Sequence, residues 1–304
     1  MKQVVARVTG GLGNQLLNYA VALGIAERTG REVVLDLTDF LIFPGGRKYQ
    51  LDHFQGPSRA RHWNRLQTGC FLLAWVLNKR VSTRAFAWYC RSMRIRVLQS
   101  DKILDFDPCF VDESLARTDA LLYLIGVYGH IPYLPSDTVL REALRLTEPP
   151  QGQNRRIFDQ VVGTESVSLH VRRSDYLQMA NGMVALGAPY YRCAIEAMAR
   201  RVADPFWAIF SDDIAWCRQA FAFLKNAVFV DGNADRPWED LRLMSACRHH
   251  IIANSSFSWW GAVLGRDPEG YTMYPDPWFP GEHARPTAVR SDWIAIPSYW
   301  AKDE

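Results

Sequence analysis

Between Ser166 and Leu264 short apolar runs and helical runs take turns, and each apolar run is followed by polar or charged residues. Ser166–Arg172, Phe206–Phe210, Ala227–Val230 and His249–Ala253 read as strands. Pro189 to about Val202, Ile214–Leu224, Pro237–Cys247 and Trp259–Leu264 read as helices. Strands that alternate with helices build a parallel sheet, because parallel neighbours need a crossover between them. In open sheets of this kind ligands bind just outside the carboxyl ends of the strands. Four tips therefore carry the chemistry: Arg172, Arg173 and Asp175; Asp212 and Asp213; Asp231; and the turn Asn254–Ser258.

The first tip is the most informative. In Ser166–Tyr176 the residues Val167, Leu169 and Val171 fall on one strand face, and Ser168, His170 and Arg172 on the other. The apolar face needs a core, and the other carries His170 and Arg172 to the strand end. Two adjacent guanidiniums suit a phosphate or pyrophosphate, since the fork matches its geometry and stays charged. A plain surface salt bridge of the Arg-Arg-x-Asp type fits the same residues. At the other tips Ser255, Ser256 and Ser258, with backbone amides at a helix start, can hold a phosphate. A carboxylate at Asp212 or Asp213 can accept the paired N–H groups of guanine, or cap the helix that follows. Of Trp259 and Trp260, one ring is expected in the core and one at the open side.

The N-terminal half begins with another such unit. Val4–Thr9 reads as a strand, Gly10-Gly11-Leu12-Gly13 as a turn, Asn14 to about Arg28 as a helix and Glu32–Leu37 as a strand. Glycines here let backbone amides approach an anion at a helix start. The dinucleotide fingerprint fails, because Leu16 stands where its third glycine belongs. Asn14 and Gln15 can cap the helix or reach a ligand. Leu121–Tyr128 reads as a further strand and Ser136–Leu146 as a helix. Pro149-Pro150-Gln151-Gly152-Gln153 is the expected linker, which divides the chain into domains 1–150 and 151–304.

Residues 59–98 stand apart. They hold nine Arg and Lys, no acidic residue, and Trp63, Trp75 and Trp88, so the rest of the chain is net acidic although the whole carries +3. This reads as a basic helical insert at about 57–100. Such a segment suits an anionic membrane surface, or is a solvated insert whose arginines pair elsewhere. Without a recognisable binding module, the charge does not argue for nucleic acid. The six cysteines form no C-x-x-C pair, which fits buried thiols in a reducing compartment. No apolar run is long enough for a signal peptide or a membrane span, so a cytoplasmic protein is expected, at the inner face of the membrane if the basic segment binds lipid.

Four stretches together carry a resemblance: Gly10-Gly11-Leu12-Gly13-Asn14-Gln15; His170-Val171-Arg172-Arg173-Ser174-Asp175-Tyr176; Phe210-Ser211-Asp212-Asp213; and Ile252-Ala253-Asn254-Ser255-Ser256-Phe257-Ser258-Trp259-Trp260-Gly261-Ala262. In order and content they resemble the α-1,2-fucosyltransferases, which share motifs with the α-1,6- and protein O-fucosyltransferases. The resemblance implies an α/β GT-B glycosyltransferase fold, two Rossmann-like domains facing a cleft, with a last helix that can pack back on the N-terminal domain. It implies GDP-β-L-fucose as donor, held mostly by the C-terminal domain, inversion at the anomeric carbon, and no metal or other cofactor. The acceptor would be the 2-hydroxyl of a galactose-containing glycan, as in bacterial surface-glycan synthesis. By the same resemblance Arg172 contacts the pyrophosphate, His170 with Asp213 or Asp212 binds guanine, and Asn14 lies near the reacting sugar. Gly11, Gly13, Arg173, Asn254, Ser255, Ser256 and Ser258 complete the expected donor site. Asp175, beside the arginine pair, is the candidate general base, or else orients one of those arginines.

Overall fold

The structure is a computed structural model that describes residues 2–42, 47–63, 69, 88, 90–99, 118–126, 133–178, 184–281 and 289–301. The chain forms two compact units, Met1–Thr147 and Glu148–Glu304. In the first, β1 (Gln3–Arg7), α1 (Leu12–Thr29), β2 (Glu32–Asp36), α2 (Thr38–Ile42), α3 (Gln55–Arg59), β3 (Arg61–His62), β4 (Ile95–Gln99), β5 (Leu121–Ile125) and α4 (Asp137–Ala143) follow in order. The strands make one sheet, β3-β2-β1-β5-β4, parallel throughout. β1 is central, and its Val4, Val5 and Ala6 are wholly buried. Each of the two valines contributes about 1.5–3 kcal/mol through burial. α1 packs its long apolar run on this sheet and stops at Gly30, which turns left-handed with φ 64°. Midway along α1, a Cβ on Gly24 would sit 2.0 Å from the Tyr133 carbonyl oxygen. Only glycine lets that segment lie so close.

In the second unit α5 (Gly152–Val162) precedes β6 (Ser166–Val171). Then come α6 (Ala188–Ala199), β7 (Phe206–Ser211), α7 (Ile214–Ala220), β8 (Ala227–Phe229), α8 (Pro237–Ala246), β9 (His249–Ile251), α9 (Ser256–Val263), β10 (Thr272–Asp276) and β11 (Ile294–Pro297). The sheet order is β11-β10-β9-β6-β7-β8, again all parallel. From β6 the chain runs outward through β7 and β8, then returns to the other side of β6 for β9. This is the doubly wound dinucleotide-binding order, with its reversal between β6 and β9. Val167, Leu169 and Val171 of β6 pack with Tyr190, Tyr191 and Met198 of α6. On the second face Ile157 and Val161 of α5 meet Ala208, Phe210, Leu243 and Met244.

The parallel α/β class follows the sequence reading, and several elements correct it. The proposed linker ends earlier than expected, because α5 begins at Gly152 inside it. The basic insert is not helical throughout. Its described ends include β3 and β4, the two edge strands of the first sheet; residues 64–68, 70–87 and 89 lie outside the described residues. No α-helix follows α9 among the described residues, and the last strand, β11, pairs with β10 inside the second unit. α9 starts at Ser256 rather than Trp259, and both Trp259 and Trp260 are buried, edge to face at 4.9 Å. No membrane-crossing helix occurs among the described residues.

Candidate functional site

The two strands at the reversal point, β6 and β9, end beside each other and deliver most of the expected residues. β6 alternates as its sequence requires, but as the central strand it is buried on both faces, so even its polar face is inside. Ser166 donates to the Val161 carbonyl at 2.6 Å, and Ser168 lies 2.9 Å from His250 Nδ1. His170 is next on that face. Its ring lies 5.5 Å from that of Phe257 at the start of α9. Burial, then the charge of Arg172, pushes its imidazole down to about 3. It is therefore neutral at physiological pH, and its Nδ1 has no hydrogen-bond partner among the described residues. A buried polar atom without a partner is costly unless a ligand supplies one.

Past the strand end, the two arginines do different things. Arg172 is held by two carboxylates. Its Nη2 lies 2.8 Å from Asp175 Oδ1 and 2.9 Å from Oδ2, and its Nη1 lies 3.0 Å from Asp212 Oδ2. Its guanidinium also stands 5.6 Å over the ring of Tyr176. Arg173 turns into the protein: its guanidinium carbon is 4.0 Å from the centre of the Trp216 ring, and Nε is 3.3 Å from Asp213 Oδ2. Its backbone N–H donates to Asp212 Oδ1 at 2.9 Å. Asp213 caps α7 by accepting from the Trp216 N–H at 3.1 Å. So the capping role holds for Asp213, and both aspartates brace the arginine pair. Asp231 stands apart from this cluster, near Arg218 at 3.7 Å.

The β9 tip is organised by its own side chains. Ser255 caps α9, its hydroxyl accepting from the Phe257 N–H. Ser256 is the first helical residue. Ser258 departs from the expected donor contact: it is wholly buried, and its hydroxyl accepts from the Ala253 N–H at 3.2 Å and reaches the Ser255 carbonyl at 3.2 Å. It closes the turn rather than facing outward. Asn254 is buried too; its amide donates to the Val184 carbonyl at 3.0 Å and its Oδ1 has no partner among the described residues. Tyr176 donates to the Asn254 carbonyl at 3.3 Å, which ties the β6 loop to the β9 loop.

In the first unit the equivalent reversal lies between β1 and β5. Gly10 takes φ 75°, and a Cβ there would come within 3.0 Å of Asn14 Nδ2, so the Asn14 side chain lies over it. Gly11 is the N-cap of α1, and no side chain caps it. Gly13 follows in the first turn. Gln15 is neither cap nor exposed: it donates to the Gly10 and Lys48 carbonyls at 2.9 and 2.8 Å and accepts from the Gln50 N–H at 3.0 Å. Asn18 escaped the sequence reading. It accepts from the Thr9 N–H at 3.3 Å and donates to the Gly126 carbonyl at 2.5 Å, joining the loops after β1 and β5. A second set also went unread: Asn154 and Asn233 exchange amide hydrogen bonds at 2.9 and 3.0 Å, and Asn233 donates to Asp240 at 2.8 Å. Asn18 stands inside an apolar helical run, Leu16–Ala22, whereas Asn154 and Asn233 stand among polar residues and carry no such signal. Among the described residues no three of His, Cys, Asp and Glu stand close enough to hold a metal ion.

Comparison with known proteins agrees with this arrangement. The model of glycosyl transferase family 11 matches residues 138–296, more than half of the chain. An α-1,2-colitosyltransferase of Escherichia coli is 30% identical over 300 residues, 93% of this chain and 94% of that protein. Galactoside α-(1,2)-fucosyltransferase 1 of Aotus azarae is 32% identical over 142 residues, 43% of this chain and 38% of that protein. Fucosyltransferase NodZ from Bradyrhizobium superposes with a TM-score of 0.51 at 13% identity, over 87% of this chain and 93% of that one. That likeness, at such low identity, speaks to the fold, the α/β GT-B class.

Proposed function

The chain belongs to glycosyl transferase family 11, and from that premise we propose that it moves L-fucose from GDP-β-L-fucose to the 2-hydroxyl of a galactoside, with inversion and without a metal. The observation that carries this reading is the Arg172 fork at the β6 tip, beside a neutral His170 whose Nδ1 has no hydrogen-bond partner among the described residues, and the α9 start. In this proposal Arg172 meets the pyrophosphate. His170, with Asp212 or Asp213, meets guanine, and Ser255, Ser256 and Asn254 line the phosphate side. Arg173 serves the donor indirectly, by holding Asp212 and Asp213 in place. For Gly11, Gly13 and Asn14 the proposal is that the α1 turn handles the reacting sugar. As GDP leaves, positive charge grows at C1 and negative charge on the β-phosphate. Preorganised donors aimed at that charge are each worth about 3 kcal/mol. The acceptor proton goes to Asp175.

The test is incubation of the purified chain with GDP-fucose and a panel of β-galactosides in EDTA, following GDP release and product linkage. Transfer to a 2-hydroxyl in EDTA is expected, and Arg172→Ala should lower it by about 1,000-fold, as loss of a charge-assisted phosphate contact does. Undiminished transfer by Arg172→Ala would sink the donor model. A second donor is favoured by one finding: the relative matched over 93% of the chain transfers colitose. A colitosyl donor belongs in the same panel, and faster transfer from it would replace fucose in the proposal.

We extend the proposal to a cytoplasmic enzyme of surface-glycan synthesis that touches the membrane through its basic segment. Trp88 and Met93 are 71% and 54% exposed, and Arg91 and Arg94 beside them are exposed too. Sedimentation with phosphatidylglycerol vesicles, and its loss with neutral vesicles or in about 0.5 M salt, is the expected result. Equal recovery with both vesicle types would end that part.

A further inference from the structure

Strand order sets the tips of the second sheet in a row. Across β9, β6 and β7 they carry Asn254, then Arg172, then Asp212 and Asp213. Neighbouring strands lie about 4.8 Å apart, so Arg172 stands between the two flanking groups. A nucleotide sugar has a matching order: nucleoside, diphosphate, sugar. With the diphosphate on Arg172 and guanine on the Asp212 and Asp213 side, as proposed above, the sugar falls to the β9 side, at Asn254.

Asn254 is held so that one atom is left over. Its side chain is buried. The Val184 carbonyl, 3.0 Å away, can only accept, so it takes the amide Nδ2 and fixes the orientation of the group. The Asn254 backbone carbonyl accepts from the Tyr176 hydroxyl at 3.3 Å, which pins the main chain as well. What remains is Oδ1, buried and with no hydrogen-bond partner among the described residues. Such an acceptor is costly until a donor reaches it. Phosphate does not serve, because its ionised oxygens are acceptors themselves. Hydroxyls do, and fucose offers three on its ring carbons, at positions 2, 3 and 4.

We propose that Asn254 Oδ1 accepts a hydrogen bond from a ring hydroxyl of the transferred sugar, and that Asn254 thereby selects which 6-deoxyhexose the site takes. This rests on the transferase reading above and adds to it the residue that reads the sugar. The main chain of Asn254 stays beside the phosphates with Ser255 and Ser256, while its side chain serves the hydroxyl. A sugar without that hydroxyl leaves the oxygen orphaned under the bound ligand. A site built to bond a hydroxyl rejects the analogue that lacks it far more strongly than an apolar pocket rejects a missing methylene.

The test measures kcat/KM for GDP-fucose and for its 2-, 3- and 4-deoxy analogues, with wild type and Asn254→Ala. The 3-deoxy analogue is the colitosyl donor already in the panel. Asn254→Ala should lower kcat/KM for GDP-fucose about 10-fold to 100-fold. For one of the three analogues that loss should shrink to about twofold, because the bond is already missing there, and for the other two it should stay full. Titration calorimetry with GDP, which lacks the transferred sugar, should give wild type and variant affinities within about twofold, and this also shows that the variant is folded. The same full loss on all three analogues would overturn the proposal. So would a loss of GDP affinity as large as the loss of kcat/KM, which would put Asn254 at the nucleoside or the phosphates. Wild type alone supplies a check that needs no variant: at least one deoxy analogue should bind about 10-fold or more weakly than GDP-fucose, and equal binding of all three would overturn the proposal. If wild type transfers fucose and these results fail, this inference falls and the transferase reading stands. If wild type binds neither GDP nor GDP-fucose, both fall together.

Discussion

The reversal points of the two sheets are built on one backbone plan and finished with different side-chain chemistry. In each unit a central parallel strand ends at the place where strand order turns back, and a loop leads to a helix start or a tight turn there. In the first unit the loops at that place are tied by amides, with Gln15 and Asn18 bonded to backbone groups of five loop residues, and the charge there, among the described residues, is one ion pair, Arg7 at the end of β1 with Asp39. In the second it is a charged lattice in which two arginines and three aspartates hold one another. The topology makes a place for a ligand, and side-chain chemistry decides its class. Neutral ties give a rigid loop with backbone groups to offer. An ionic lattice gives charges that a charged ligand can meet.

The Arg172→Ala assay is the largest effect this contrast predicts, since it removes the charged side of it. The next acts on the neutral side. Asn18→Leu keeps the volume of a buried side chain but leaves the Thr9 N–H and the Gly126 carbonyl without their partner. An orphaned group costs about 1–3 kcal/mol when fully buried; these two are half-buried, so unfolding in urea should show a loss of about 1–2 kcal/mol. GDP affinity, which the proposal assigns to the second unit, should stay within about twofold. A loss of GDP binding as large as that of Arg172→Ala would break the contrast, because neutral ties would then be part of the donor site.

How much of this could be read beforehand depends on how far apart in the chain the cause lies. β6 was legible because period-2 alternation and the charged end sit within eleven residues, and the structure places Val167, Leu169 and Val171 together in one core cluster as that pattern requires. The Asp213 cap was legible for the same local reason. β4 was not, because Ile95–Gln99 carries Arg96 and follows a basic run, and its strand character comes from pairing with β5 far along the chain. The bonds of Asn18 and Asn233 show only when their partners, in the loop after β5 and in α5, 108 and 79 residues away, are brought beside them. Ser258 was misread because a serine in a helix-start motif has two fates, ligand contact or turn closure, and only the fold selects between them.

A last and smaller effect sharpens the contrast within the charged unit, through two buried groups whose pH responses oppose each other. His170 is pushed down to about 3 by burial and by Arg172, whereas an exposed histidine titrates near 6.5. Between those values the unfolded chain holds the extra proton, so stability present above pH 6.5 is lost as pH falls. Asp240 is pushed up to about 6, first by burial, against the hydrogen bond from Asn233. For it the folded state holds the extra proton between about 4 and 6, so its contribution is lost as pH rises through that range. From about pH 4.5 to 6 the two slopes, each at most about 1.4 kcal/mol per pH unit, oppose each other in the wild type. Urea midpoints measured across that range should separate them. His170→Gln should make stability fall more steeply with rising pH than in wild type, and Asp240→Asn should make it rise. Variant curves that run parallel to the wild type would mean that neither group is held in the protonation state its burial demands. The charged unit would then be no more sensitive to pH than the amide-tied one.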